Sequence, residues 1–416
     1  MNHYNITELS SGIKIVSEKI PYVKSFSLGF WFDVGSRDET TGNNGISHFL
    51  EHMFFKGTKT RSAKRISDEI ESLGGYLNAF TSKEQTCFYG RGLSQHLERT
   101  FRVLADMLQN SLFRESDIKK ESLVVIDELL DIEDNPEELI FDSFETRIFE
   151  GNPISLPIIG TEKNISAFNS QKLFDFIKKN YGFNNFYIVA SGAVEHENLV
   201  KYCEKYIVKD LGITGKVRSP FHAKKSTDQS LYKEVQQSHL IIGKPTFGLK
   251  DDERIPVNIL STILGEGSSS RLFQRLREKN GIAYQISSFL NSFHDTSAFG
   301  VYLSTNDNAF LKGYGLILEE FKKLRDKPVS EKELKRAKEY FKGNILLSLE
   351  NTTNRMLRIA QSVICFGEIK DLSLSIEQID SVTREEILKV SNELLNESEL
   401  VKVIISSKNH LHLNAA

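Results

Sequence analysis

The sequence is poor in cysteine. Its three thiols, Cys87, Cys203 and Cys365, stand far apart among 416 residues and form no CxxC pair. An odd number at such spacing excludes a disulfide framework and a thiolate zinc site, so buried thiols in a reducing compartment are expected. Long apolar runs are also missing. No stretch of about 18 apolar residues occurs, and no membrane span is expected. Neither sign of charge is in excess: 53 Lys and Arg stand against 56 Asp and Glu, for a formal net charge of −3. A general nucleic-acid binder would need a basic surplus, so no nucleic-acid partner is expected. The opening run MNHYNITELSSGIKIVSEK lacks a basic start followed by an apolar core. It is read as carrying no secretory signal, which favours a cytoplasmic setting, or a mitochondrial-type one if a presequence has been removed.

What is present is an ordinary globular composition, 39% hydrophobic and 26% charged, at a length that suits two large domains. The chain reads as two similar halves. Strand-like runs open each, SFSLGFWFDVGS at 25–36 and SHLIIGKPTFG at 238–248. Later runs, QTCFYGRGL at 85–93 and SAFGVYLST at 297–305, also correspond, as do the amphipathic helical patterns at 115–130 and 330–347. A repeat of this size implies duplicated domains and not a solenoid, whose units are far shorter. The expected fold class is α+β: two homologous domains, each a mostly antiparallel sheet with helices packed on it, on one face. The boundaries are drawn as a first domain 1–210, a polar linker 211–232 and a second domain 233–416.

The chemistry concentrates in GISHFLEHMFFKGT, 45–58. His48 and His52 are spaced i, i+4, so on a helix they lie about 40° apart on one face, one turn from each other, and can reach one metal ion. Glu51 borders that face and completes an HxxEH order, the inverse of HExxH. Such a site needs a third protein ligand and an open position for water. Glu121 and Glu128 lie seven residues apart in a helical pattern and share a face, although composition alone would make them a solvated acidic surface. A zinc ion would activate a water, and Glu51 would take its proton during attack on a peptide carbonyl.

Over nearly its whole length the sequence resembles the pitrilysin-type zinc metallopeptidases, in particular the short subfamily that includes the mitochondrial processing peptidase β subunit and bacterial relatives. Five blocks carry the resemblance in order: GISHFLEHMFFKGT, GGYLNAFTSKEQTCFY (74–89), ESLVVIDELLDIEDNPEELIFDSF (121–144), NNFYIVASGAV (184–194) and LGEGSSSRLFQRLREKNGIAY (264–284). The resemblance implies that Glu128 is the third zinc ligand beside His48 and His52, one Zn2+ per chain, with Glu51 the general base and Glu121 a supporting carboxylate. It implies that Asn78, Ala79 and Phe80 form an edge strand that binds substrate by backbone pairing. Arg277 and Tyr284 match the pair contributed by the second half. Glu138 and Asp142 match an acidic pair for a substrate arginine; they would share a face on a continuing helix, although Pro136 marks a break near them.

The second half has no HxxEH; Leu264, Gly267 and Ser268 stand in the approximate equivalent places, and Asn344 replaces Glu128. The resemblance thus implies one catalytic half, one degenerate half, and two chains around a chamber, as a homodimer or with an inactive homologue. The activity expected is a metalloendopeptidase acting on unfolded or extended polypeptides. The alternatives are a presequence-type processing peptidase preferring Arg near the cut, and a noncatalytic core-type structural subunit. The intact metal set argues against the last.

Overall fold

The computed structural model describes residues 4–215 and 217–408. In chain order the strands are β1 (Tyr4–Glu8), β2 (Lys14–Lys19), β3 (Ser25–Phe32), β4 (Tyr76–Thr81), β5 (Thr86–Leu93), β6 (Phe186–Gly192), β7 (Gln229–Tyr232), β8 (Ser238–Thr246), β9 (Ala283–Ser292), β10 (Ser297–Thr305) and β11 (Val401–Ser406). The helices are α1 (Ile46–Phe54), α2 (Ala63–Glu71), α3 (Leu97–Asn110), α4 (Glu115–Asp134), α5 (Pro136–Ile148), the one-turn α6 (Glu162–Ile165), α7 (Ser170–Asn180), α8 (His196–Tyr206), α9 (Arg254–Gly265), α10 (Asp307–Asp326), α11 (Glu331–Ser348), α12 (Thr352–Phe366), α13 (Leu372–Ser381) and α14 (Arg384–Leu394). Among the described residues no helix is long and apolar enough to cross a membrane. All three cysteines are buried free thiols, as expected.

The strands form two sheets, one ordered β1-β2-β6-β3-β5-β4 and the other β7-β11-β8-β10-β9. Among the described residues only β2 with β6 and β11 with β7 run parallel; the other pairings are antiparallel. This is the expected class, two α+β domains with largely antiparallel sheets.

The one-face expectation is corrected. On β3, Phe30 packs edge-on to Phe101 of α3, while its neighbour Trp31 joins Met356, Ile359, Ala360 and Val363 of α12. Adjacent strand residues point to opposite faces, so helices cover both sides of this sheet. The second sheet repeats the pattern: Ile241 of β8 packs with Ile140, Phe144 and Ile148 of α5, while Leu240 and Ile242 pack with Leu260, Phe310 and Ile387 of α9, α10 and α14. Double coverage explains why β3 and β8 read as near-continuous apolar runs and not as alternating ones.

Two compact units result, and neither is one continuous stretch. The first comprises Met1–Leu130, Leu156–Ser219 and Ser348–Ile369; the second comprises Asp131–Ser155, Pro220–Leu347 and Lys370–Ala416. Each sheet therefore takes a covering helix from the other half of the sequence, α12 for the first and α5 for the second, a feature contiguous halves do not include. Polar contacts seat α12: Arg355 reaches the buried Glu18 at 2.5 Å, and Ser27 meets the hydroxyls of Thr352 and Thr353 at 3.0 and 2.9 Å.

Candidate metal centre

The helix that carries HxxEH starts without a side-chain cap of its own. Its N-cap is Gly45, at φ 95°, where an added Cβ would lie 2.6 Å from the Ile159 carbonyl oxygen. Glycine is the residue that tolerates both the left-handed backbone and that approach. The first-turn donors are taken up by Glu39. Its Oε2 accepts from the Gly45 N–H at 2.7 Å and the Asn44 amide at 2.9 Å, and its Oε1 accepts from the Ser47 N–H at 2.7 Å. A carboxylate there also meets the positive end of the helix dipole.

Glu39 is only 3% exposed, and burial pushes its carboxyl up to about 7 against the pull of those donors. Because the folded value lies above the ordinary one, its stabilising contribution is complete below about pH 4.5 and is lost as pH rises through about 7. The shift corresponds to about 3 kcal/mol. The wild type should therefore lose thermal stability between pH 5 and 8 relative to Glu39→Gln, whose amide does not titrate. Equal pH slopes for the two melting temperatures would refute this.

His48 and His52 lie one turn apart on α1, their rings edge-on with centroids 4.7 Å from each other. Glu128 of α4 faces both: its Oε1 is 3.6 Å from His48 Nε2 and its Oε2 is 3.6 Å from His52 Nε2. These separations are too long for good hydrogen bonds. They are close to the spacing between ligand atoms in a tetrahedral zinc site, roughly 3.3 Å for bonds near 2.0–2.1 Å. All three donor atoms lie within 4.8 Å of one another, and His48, His52 and Glu128 are the group among the described residues able to hold a metal ion in this way.

Burial and neighbouring charge shift the two imidazoles in opposite directions. Burial, then the neighbouring His52, lowers His48 to about 4, so at pH 7 it is a neutral imidazole, the form able to ligate a metal. His52 donates Nδ1–H to Glu121 Oε1 at 2.8 Å, which leaves the Nε2 lone pair facing Glu128. Burial lowers His52, but the Glu121 hydrogen bond and the charges of Glu121, Glu128 and Glu51 outweigh it and raise its affinity for a proton. Glu121 is itself nearly buried. Burial raises its carboxyl, and the donors on His52 and Lys56 more than reverse that. Glu51 accepts from the Thr81 hydroxyl at 2.7 Å; burial pushes its carboxyl up, Thr81 and His52 pull it back, and Glu128 adds to the rise.

Thr81 ends β4, an outer strand of its sheet. Among the described residues β4 pairs with β5 alone. Ala79 lies on the Thr81 face of β4, and Asn78 and Phe80 on the other, where Phe80 packs edge-on to Trp31 at 5.4 Å. The Ala79 N–H donates to Asn78 Oδ1 at 2.9 Å and so plays no part in the β5 ladder. Lys56, Thr81 and Glu39 escaped the sequence reading. Lys56 follows His52 by four residues, a helical spacing that could have been noticed; the other two carry no local signal.

Residues 14–162 match the family described as Insulinase (Peptidase family M16), and residues 167–341 match the Peptidase M16 inactive domain. A Rickettsia bellii protein named "Uncharacterized zinc protease" is 34% identical over 405 residues, covering 97% of each chain. The chain belongs to peptidase family M16. The Bacillus subtilis "Uncharacterized zinc protease YmxG" is 35% identical over 403 residues, 96% of this chain and 97% of its own. The fold is shared with a crystal structure described as a protease from Helicobacter pylori, with TM-score 0.89 and 22% identity over 98% of this chain and 100% of that one. It is also shared with a structure described as a peptidase M16 inactive domain from Pseudomonas fluorescens, with TM-score 0.90 and 18% identity over 98% and 99%. The pitrilysin-type resemblance read from the sequence is to this same family.

The remaining expected residues of this M16 chain belong to the second compact unit. Arg277 donates to the Tyr284 carbonyl at 3.3 Å and lies over the Phe273 ring, while the Tyr284 side chain is largely exposed at the start of β9. Glu138 and Asp142 do not continue α4. Asn135 caps a new helix that begins at Pro136, and its amide donates to Glu138 at 2.7 Å. In the second half Leu264 is buried in α9, Gly267 and Ser268 follow that helix, and Asn344 lies on α11.

Proposed function

We propose that this chain is a zinc-dependent endopeptidase acting on extended polypeptide, with one zinc held by His48, His52 and Glu128 and Glu51 as general base. The convergence of three donor atoms within 4.8 Å, beside a half-buried carboxylate held by Thr81, carries the reading. Two imidazole nitrogens and a carboxylate are a donor set that suits catalytic zinc. When bound, the metal supplies the Lewis acidity that makes a water acidic near neutral pH and polarises a peptide carbonyl.

The chain's own residues do the rest. Glu121 holds the His52 ring so that Nε2 faces inward. Glu51, raised by burial, takes a proton from the attacking water and returns it to the leaving nitrogen. The Thr81 hydroxyl fixes one of its oxygens and leaves the other for the proton. Substrate adds to the outer edge of β4 as a further strand, which sets affinity through backbone pairing with little demand on side chains. Strand addition also leads the peptide towards Thr81 and hence towards Glu51. The roles that the resemblance implies for Arg277, Tyr284, Glu138 and Asp142, and a homodimeric assembly, belong to the same proposal.

Metal analysis of the purified protein should find one zinc per chain. Cleavage of an unfolded polypeptide should stop with a chelator and return with added zinc. Protein that holds no zinc and cleaves nothing would return the chain to the structural-subunit reading.

Strand addition makes its own prediction. Ala79→Pro removes an N–H that β5 does not use, at an edge position where proline is tolerated. One backbone hydrogen bond is worth about 0.5–1.5 kcal/mol, so kcat/KM should fall several-fold, to about tenfold, mainly through KM and with zinc content unchanged. Unchanged KM would rule out pairing through Ala79.

A further inference from the structure

Resting on the metal-centre reading above, we propose that Lys56 is a positioning residue of that centre, its ammonium fixing the Glu121 carboxylate in the orientation that holds the His52 ring. The contact is direct: Lys56 Nζ lies 2.5 Å from Glu121 Oε2, while Glu121 Oε1 accepts from His52 Nδ1 at 2.8 Å. The two oxygens of one carboxylate are thus divided between the imidazole and the ammonium.

The backbone places Lys56 for this task. Helix α1 ends at Phe54, and the Lys56 N–H still bonds to the Met53 carbonyl at 3.1 Å, so the chain makes one more tight turn. Lys56 thereby returns its side chain to the face that carries His52, four residues earlier. Gly57 then turns the chain away at φ 117°, a left-handed backbone that side-chain-bearing residues rarely adopt.

A glutamate's terminal torsion is soft, with a broad, roughly two-fold profile. One hydrogen bond to His52 leaves the carboxylate plane free to swing about that contact. A second contact at the other oxygen removes the freedom, and the imidazole inherits a defined ring plane. The charges also fit. Glu51, Glu121 and Glu128 bring three carboxylates to the site; Lys56 and a divalent cation together bring three positive charges. The Glu121 side chain is 5% exposed and that of Lys56 36%, so the lysine can be replaced without opening the core.

The test is zinc affinity, measured by competition with a chromophoric chelator, together with the visible spectrum of the cobalt-substituted protein. Outer partners of a metal ligand typically affect metal affinity 10–100-fold. Lys56→Met should weaken zinc by that order and alter the cobalt spectrum, and Lys56→Arg should restore both. In a Glu121→Gln background, Lys56→Met should change zinc affinity less than threefold, because the link through which it acts is already cut. Wild-type zinc affinity in Lys56→Met would overturn the proposal, as would an equal loss with and without Glu121. A wild type that binds no zinc would instead overturn the metal-centre reading on which it rests.

Discussion

Glu51→Gln is expected to retain a full complement of zinc and to lose turnover by 10²- to 10⁴-fold, the usual range for removing a general base. The substitution is nearly isosteric, and the Thr81 hydroxyl that donates to Glu51 at 2.7 Å can donate to the amide oxygen instead. Local packing and the His48, His52 and Glu128 donors are left in place. What is lost is the proton acceptor, whose basicity burial raises in the wild type. The loss should fall on kcat, because strand addition to β4 does not involve this side chain. Metal analysis and steady-state kinetics on one preparation check both halves. Near-normal kcat would mean that another group takes the proton.

His48→Ala should remove the metal as well as the activity. A site of three protein donors reduced to two loses a direct ligand, so zinc affinity should fall by more than the 10–100-fold that outer partners control. Turnover should fall at least as far as in Glu51→Gln. His48 is the donor to remove because burial holds it neutral, with a value lowered to about 4, so it competes little for protons at pH 7. Glu128→Gln should act in the same direction from α4. Circular dichroism of the metal-free proteins guards against unfolding as the cause. Stoichiometric zinc at wild-type affinity in His48→Ala would dismiss the assigned ligand set.

Much of the site was legible because it is local. HxxEH spacing places two imidazoles and a carboxylate on one helical turn whatever surrounds them, and seven-residue spacing places Glu121 and Glu128 on one face of α4. Equivalent strands and helices in the two halves were readable for the same reason, since periodicity is a property of neighbouring residues. The tertiary structure alone decided which distant residues meet. Glu121 reaches His52 across 69 residues and Thr81 reaches Glu51 across 30. Glu39 reaches the helix start through a loop with no regular period, and Lys56 meets Glu121 only because the chain makes one further turn after α1 ends. The covering of each sheet by a helix from the other half, α12 for one and α5 for the other, is likewise a matter of packing. An apolar helical stripe and a doubly buried strand declare in sequence that they need partners, but which stripe covers which strand is settled by shape and polar matching in the folded chain.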